Sequence, residues 1–259
     1  MSALSEQAII NACSKFTNDD AYYSDTKFIS NSMLGKLKSS PKELARYFEK
    51  GSVTTPAMTF GRAFHLAILE PEVFPTQVAI YEGKTKRGKA WDEFSDLNKG
   101  KDIISEIEFE CIKGMESALV GNEDIVKLLV GKKEVPMVWE DSLSSVNCKG
   151  KVDILNNDII VDIKTTQDSS FEGFKRSAYK YGYNRQSAYY LDGFGAKEFI
   201  FVVIEKKAPY IIGVYYCSDD FIASGREEYS SLLMDYKKYF INSKPENNDI
   251  INYYETGIL

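Results

Sequence analysis

Two apolar, β-branched runs separated by a polar Asn-Asn-Asp step dominate the patterning of this chain. Residues 148–155 and 158–164 read as the two strands of a β-hairpin joined by a tight Asn-rich turn. Ile159, Ile160, Val161 and Ile163 have the composition of a strand near a sheet centre. Further strands are predicted at Glu134–Glu140, Glu198–Glu205 and Tyr210–Cys217. Ahead of residue 131 the apolar spacing is mostly helical. Ser40-Pro41 starts a helix through Tyr47, with Ser40 as N-cap and Pro41 at the first helical position. Pro56–Leu69 reads as a second helix, and residues 102–119 and 122–130 as two more. Residues 170–193 suit two helices split near Gly182, and 219–241 a last amphipathic helix before an irregular tail after Pro245. This alternation predicts an α/β fold, with a central mixed β-sheet flanked by helices and a largely helical N-terminal region. No repeat or linker interrupts it, so one domain is expected over 1–259: a mostly helical stretch over residues 1–130, an αβ core over 131–218, and a C-terminal helix and tail over 219–259.

Composition changes little in that picture. The length of 259 residues is enough for a full core, and 44% hydrophobic with 27% charged residues suits a soluble globular protein. No apolar run approaches the ~20 residues that span a bilayer, and the N-terminus lacks the basic start of a secretory signal, so no membrane and a cytoplasmic location are expected. Cys13, Cys111, Cys148 and Cys217 are scattered without a Cys-x-x-Cys pair, which argues against structural zinc or an iron–sulfur cluster.

Charge changes it more. The net charge of −6 argues against a nucleic-acid partner until its distribution is considered. Residues 83–91 carry Lys84, Lys86, Arg87 and Lys89 and no acid. Residues 171–186 carry Lys175, Arg176, Lys180 and Arg185 against Glu172 alone. An acidic exterior with a locally basic groove suits a DNA partner, although such runs are commonly solvated faces.

The candidate chemistry lies in the hairpin. Strand side chains alternate, so Asp162 and Lys164 point the same way, and Asp153 lies nine positions upstream in the first strand. Asp-x-Lys alone is a common tripeptide, and charges on a strand often serve only to block edge pairing. Here the flanking residues are those of a buried strand, where an uncompensated charge is costly. Two carboxylates and an ammonium on one face would meet the oxygen-ligand needs of a hard divalent cation. His65, the sole histidine, lies in an apolar helix and reads either as a core histidine or as a nitrogen ligand. Glu134 opens the strand before the hairpin and offers a third carboxylate or a solvated strand end. Gln186 and Tyr190 share a helix face, from which they could bond a phosphate or orient a ligand carboxylate.

Together these residues resemble a known family. Phe60-Gly61-Arg62-Ala63-Phe64-His65, Asp153, Asp162-Ile163-Lys164-Thr165-Thr166 and Gln186-Ser187-Ala188-Tyr189-Tyr190 are similar in order and spacing to the exonuclease VIII (RecE-type) nucleases. Ile29-Ser30-Asn31-Ser32 resembles that family's start and Arg87-Gly88-Lys89 its basic segment, over roughly residues 21–245. The resemblance implies a PD-(D/E)xK, restriction-endonuclease-like core. It implies a Mg²⁺-dependent 5′→3′ exonuclease on double-stranded DNA ends, with Mn²⁺ as a substitute. It also implies a RecT-type single-strand annealing protein as partner, and a ring-shaped homo-oligomer in which a tetramer is favoured. His65, Asp153 and Asp162 with the Ile163 carbonyl, and Glu134 less directly, would hold the metal. Asp153, Asp162 and Lys164 would be the catalytic residues. Lys84, Lys86, Arg87, Lys89, Lys175, Arg176, Arg185, Gln186 and Tyr190 are the candidates for DNA contact. Val152 stands where the motif has proline, and the cysteine group of the cluster-bearing relatives is absent.

Overall fold

The computed structural model describes residues 5–16, 19–242, 250 and 253–255. It begins with α1 (Glu6–Cys13), α2 (Asp19–Ser24), β1 (Ile29–Ser30), α3 (Asn31–Ser39) and α4 (Pro41–Lys50). Next come α5 (Pro56–Leu69), α6 (Phe74–Gln77), β2 (Val78–Tyr81), α7 (Lys89–Leu97), β3 (Asp102–Ser105), α8 (Glu106–Val120) and α9 (Glu123–Leu128). The second half holds β4 (Lys132–Glu140), β5 (Asn147–Asn156), β6 (Ile159–Thr166), α10 (Phe171–Tyr181), α11 (Tyr183–Phe194), β7 (Glu198–Glu205), β8 (Ile212–Tyr216) and α12 (Asp219–Tyr236). A π-helical turn, Lys237–Ile241, continues α12. Among the described residues no helix is long and apolar enough to cross a membrane.

The main sheet is mixed. It runs β1-β5-β6-β7-β8, with β4 on the other side of β5. β6 and β7 are parallel, whereas β4–β5, β5–β6 and β7–β8 are antiparallel. Alternation along β6 and β7 feeds two cores. Ile160, Phe199, Phe201 and Val203 pack with residues of α3, α4, α10, α11 and α12 on one face. Val161, Ile163, Ile200, Val202 and Ile204 pack with residues of α5, α8 and α9 on the other. At roughly 25 cal/mol per Å² of apolar surface removed from water, this double burial is what holds a charged strand end in place.

The predicted hairpin forms with a two-residue turn at Asn157-Asp158, where Asn157 takes a positive φ of 53°. The split at Gly182 forms as well: that glycine sits in the left-handed region between α10 and α11. One expectation is corrected. Residues 102–119 are not one helix, because Asp102–Ser105 pairs in parallel with Val78–Tyr81 as a separate two-stranded sheet. The helix starts only at Glu106, behind a reciprocal capping box between Ser105 and Glu108. α5 is buried or half-buried along its whole length from Thr59 to Leu69, and only its first turn, Pro56–Met58, is exposed.

Candidate active site

The hairpin opens where its charges lie. β5 and β6 pair only at Ile154↔Val161, Leu155↔Ile160 and Asn156↔Ile159. Beyond that the Ile163 N–H has lost its strand partner and donates instead to Asp153 Oδ2, at 2.8 Å. Alternation breaks at the same level. Val152 and Ile154 share parity on β5, yet they pack in opposite cores. Across the ladder, between Lys133↔Ile154 and Val135↔Val152, Glu134 takes a φ of 49°, uncommon for a residue with a side chain. Both strands therefore distort at one level, and both distortions turn a carboxylate toward α5.

His65 of α5 faces them. Its Nε2 donates to the Ile163 carbonyl at 2.9 Å, and its Nδ1 lies 3.6 Å from Asp153 Oδ2. His65, Glu134 and Asp153 each offer one ligand atom, and these atoms lie within 4.8 Å of one another. On β6, Asp162 is buried and in ion-pair contact with Lys164. Its Oδ1 accepts from Gln186 Nε2 of α11 at 2.7 Å, while Oδ2 has no hydrogen bond of ordinary geometry. A buried carboxylate is costly unless paired, and the Lys164 ammonium is the partner of this oxygen. His65, Glu134, Asp153 and the Ile163 carbonyl present a nitrogen, two carboxylates and a carbonyl, the donor set of a hard or borderline divalent cation, and Asp153 and His65 act on the Asp162 carboxyl as well. The residues present fit such an ion.

The electrostatics have identifiable causes. Burial pushes the Asp162 carboxyl up to about 6; Lys164 opposes that shift and Asp153 adds to it. Burial also raises Glu134, opposed by its ion-pair partner Lys151. For Lys164 burial alone would lower the pKa, but Asp162 and Asp153 together outweigh it and the net shift is upward. The Lys164 ammonium also lies 5.1 Å from the centre of the Tyr183 ring.

The residues expected at the site do not all assemble there. His65, Glu134, Asp153 and the Ile163 carbonyl come together, and Asp162 and Lys164 form a pair on which Asp153 acts. Gln186 takes the second of its two readings and orients a carboxylate. Arg185 is corrected: its guanidinium is buried and held by Glu228 at 2.5 Å and Asn31 Oδ1 at 2.9 Å, so it ties α11 to α12 and α3 and is withdrawn from any phosphate. Tyr190 is buried against β5, and a Cβ on Gly150 would come within 2.9 Å of its ring. Acids meet the basic segment, with Lys86 near Glu108 of α8 at 3.5 Å and Lys89 near Glu93, one turn along α7, at 3.7 Å. Arg176 is exposed beside Asp168, and Lys175 lies over the Phe171 ring. Sequence reasoning missed Lys151 and Tyr183. Alternation along Lys149-Gly150-Lys151-Val152-Asp153 was a usable signal for the former; the latter had none.

Comparison with known proteins bears on the family and the fold. A family profile described as "PDDEXK-like domain of unknown function (DUF3799)" matches residues 30–256. The solved structure of a presumptive exonuclease from Eubacterium rectale is 15% identical. That match covers 93% of this chain and 95% of that one with a TM-score of 0.61, a likeness of fold. A phage-related exonuclease from Haemophilus somnus is 14% identical over 68% of this chain and 92% of that one, with a TM-score of only 0.35. A search of the curated proteins found no match. The sheet order, the opened hairpin and the family match together make this a restriction-endonuclease-like core.

Proposed function

Because the chain belongs to the PDDEXK-like family DUF3799, we propose that it is a Mg²⁺-dependent exonuclease that hydrolyses double-stranded DNA from its ends in the 5′→3′ direction. The observation that carries the reading is the convergence of His65, Glu134 and Asp153, with His65 bonded to the Ile163 carbonyl and the Asp162–Lys164 pair under the charge of Asp153. His65, Glu134, Asp153, Asp162 and the Ile163 carbonyl would hold the cation, with Mn²⁺ an acceptable substitute. When bound, a divalent cation polarises the phosphoryl oxygen, lowers the pKa of water and stabilises the leaving 3′ oxygen.

The chain's own groups do the rest. Lys164, held by Asp162 and backed by the Tyr183 ring, orients the attacking water and offsets charge growing on the phosphoryl oxygens. Gln186 keeps Asp162 turned toward the site, and the Ile163 N–H does the same for Asp153. Lys151 balances Glu134. Lys84, Lys86, Arg87, Lys89, Lys175 and Arg176 are the phosphate contacts of this proposal, positioning duplex without reading sequence. The resemblance to the exonuclease VIII family extends the proposal to phage-type recombination beside a RecT-type annealing protein, and to assembly as a ring, a tetramer favoured.

The test is digestion of 5′-labelled linear duplex with Mg²⁺, beside an EDTA control and a closed circle. Nucleotides released from the 5′ end, with the circle intact and the EDTA lane unreacted, are expected. Nicking of the circle would replace the exonuclease by a structure-specific endonuclease on the same core. No cleavage of any DNA with Mg²⁺ or Mn²⁺ would overturn the enzymatic reading.

A further inference from the structure

The two edges of the main sheet are built differently. β4, at one edge, carries Lys132, Lys133, Glu134, Pro136 and Glu140, and α1 packs against it. Charge, proline and a covering helix are the devices that keep an edge from pairing with another chain. β8, at the other edge, reads Ile212-Gly213-Val214-Tyr215-Tyr216, with no charge and no proline. Ile211 and Tyr216 are 52% and 67% exposed beside it.

Register tells which backbone groups this edge leaves open. Cys217 N–H donates to the Phe199 carbonyl and Glu205 N–H to the Ile211 carbonyl. In an antiparallel ladder, residues alternate between facing the partner strand and facing away. Ile211, Gly213, Tyr215 and Cys217 therefore face β7, and the N–H and C=O groups of Ile212, Val214 and Tyr216 point outward. None of these has a hydrogen-bond partner among the described residues.

The charges flanking β8 say what fits there. Lys207 is exposed in the turn between β7 and β8, and Asp219 and Asp220 are exposed where α12 begins after the strand. None of the three has an ion-pair partner among the described residues. A strand that is basic at its start, apolar in its middle and acidic at its end complements an antiparallel copy of itself. Placing Val214 opposite Val214 across a two-fold axis sets Ile212 opposite Tyr216 and pairs every outward group. The same two-fold sets the basic turn before β8 of one copy at the end of the paired strands where Asp219 and Asp220 open α12 of the other. We propose that β8 is a docking edge for a second copy of this chain, which joins the two main sheets into one continuous antiparallel sheet across a two-fold axis. Such an isologous contact closes on itself as a dimer. A ring would then require dimers to associate through another surface.

Light scattering and melting of the full chain test this independently of any nuclease activity. At micromolar concentration the expected mass is two or four times the 29.3 kDa of one chain, a dimer or two dimers joined through another surface. Val214→Pro removes one outward N–H and leaves the bonds to β7, a tolerated use of proline on an edge strand. Tyr216→Lys puts a charge on the exposed edge. Both variants should melt as folded proteins at half the parent's mass. Lys207→Glu should weaken the dimer about tenfold, and combining it with Asp219→Lys and Asp220→Lys should restore it. A parent with the mass of one chain would overturn the proposal. So would a folded Val214→Pro or Tyr216→Lys that keeps the parent's mass, or a Lys207→Glu defect that the charge swap does not repair.

Discussion

Lys149 and Lys164 lie on neighbouring strands, both withdrawn from water, and they answer burial in opposite ways. Lys149 is 1% exposed. Its ammonium donates to the carbonyls of Tyr22 and Asp25 and lies 4.6 Å from the centre of the Tyr22 ring, with the Asp25 carboxylate 4.0 Å away. Burial dominates, Asp25 only partly offsets it, and the pKa falls to about 8. Lys164 meets carboxylates instead, and their charge raises its pKa in spite of burial. Carbonyl dipoles and ring faces can hold an ammonium without retaining its proton so firmly; carboxylates hold both. A buried lysine is therefore not by itself a catalytic lysine. Lys149 clasps the N-terminal segment onto β5, whereas Lys164 belongs to a cluster with more charge than the fold needs.

Removing each ammonium in turn puts this contrast to its hardest test. Lys164→Met should lower cleavage by about a thousandfold, equivalent to ~4 kcal/mol of transition-state stabilisation, with the fold retained. Single-turnover digestion beside a melting curve reads both, and near-parental rates would return Lys164 to a structural role. Lys149→Met should do the reverse. It leaves two buried carbonyls without a donor and should cost about 2–4 kcal/mol of stability, read from urea midpoints. A parent-like midpoint would mean the clasp contributes nothing.

A smaller effect tests whether the carboxylate beside Lys164 must be held in place. Gln186→Leu frees Asp162 and should weaken Mn²⁺ binding by roughly tenfold to a hundredfold in a calorimetric titration, as loss of a group that orients a metal ligand does. Unchanged affinity would make Gln186 a packing residue.

The least of these effects concerns pH. The folded-state pKa of Lys149, about 8, lies below its ordinary value of 10.5, so folded protein gives up that proton first. Between those two values the unfolded chain binds more protons, and the contribution of Lys149 to stability rises with pH; below pH 8 it is at its lowest and flat. The urea-midpoint gap between parent and Lys149→Met should therefore widen across that window by on the order of 1–2 kcal/mol. A gap that narrows would place the Lys149 pKa above its ordinary value and erase the contrast with Lys164.

Much of the site was legible because it rests on local alternation. Asp162 and Lys164 lie two apart on a strand whose neighbours are apolar, so their shared side and the cost of their charges follow from the residues alone. Arg185 was illegible for the opposite reason. It stands in a basic stretch, and only the docking of α12 brings Glu228 to it. The strand Asp102–Ser105 was lost inside an apolar run whose helical reading was equally good, although the Ser105–Glu108 capping box marked the true helix start. Its partner, Val78–Tyr81, is more than twenty residues away, and pairing over such distances leaves no local period.

The order of charged and apolar positions was enough to set the hairpin, the helix pair around Gly182 and the side of β6 on which Asp162 and Lys164 stand, because strand and helix periods are properties of consecutive residues. Packing between distant elements was needed to part β5 from β6 at Asp153, to twist Glu134 into the opening, and to bring His65 from a helix nearly a hundred residues away. The same packing settled which lysine meets carbonyls and which meets carboxylates. An ammonium's chemistry depends on the charge within a few ångströms of it, and those neighbours come from elements far apart in the chain.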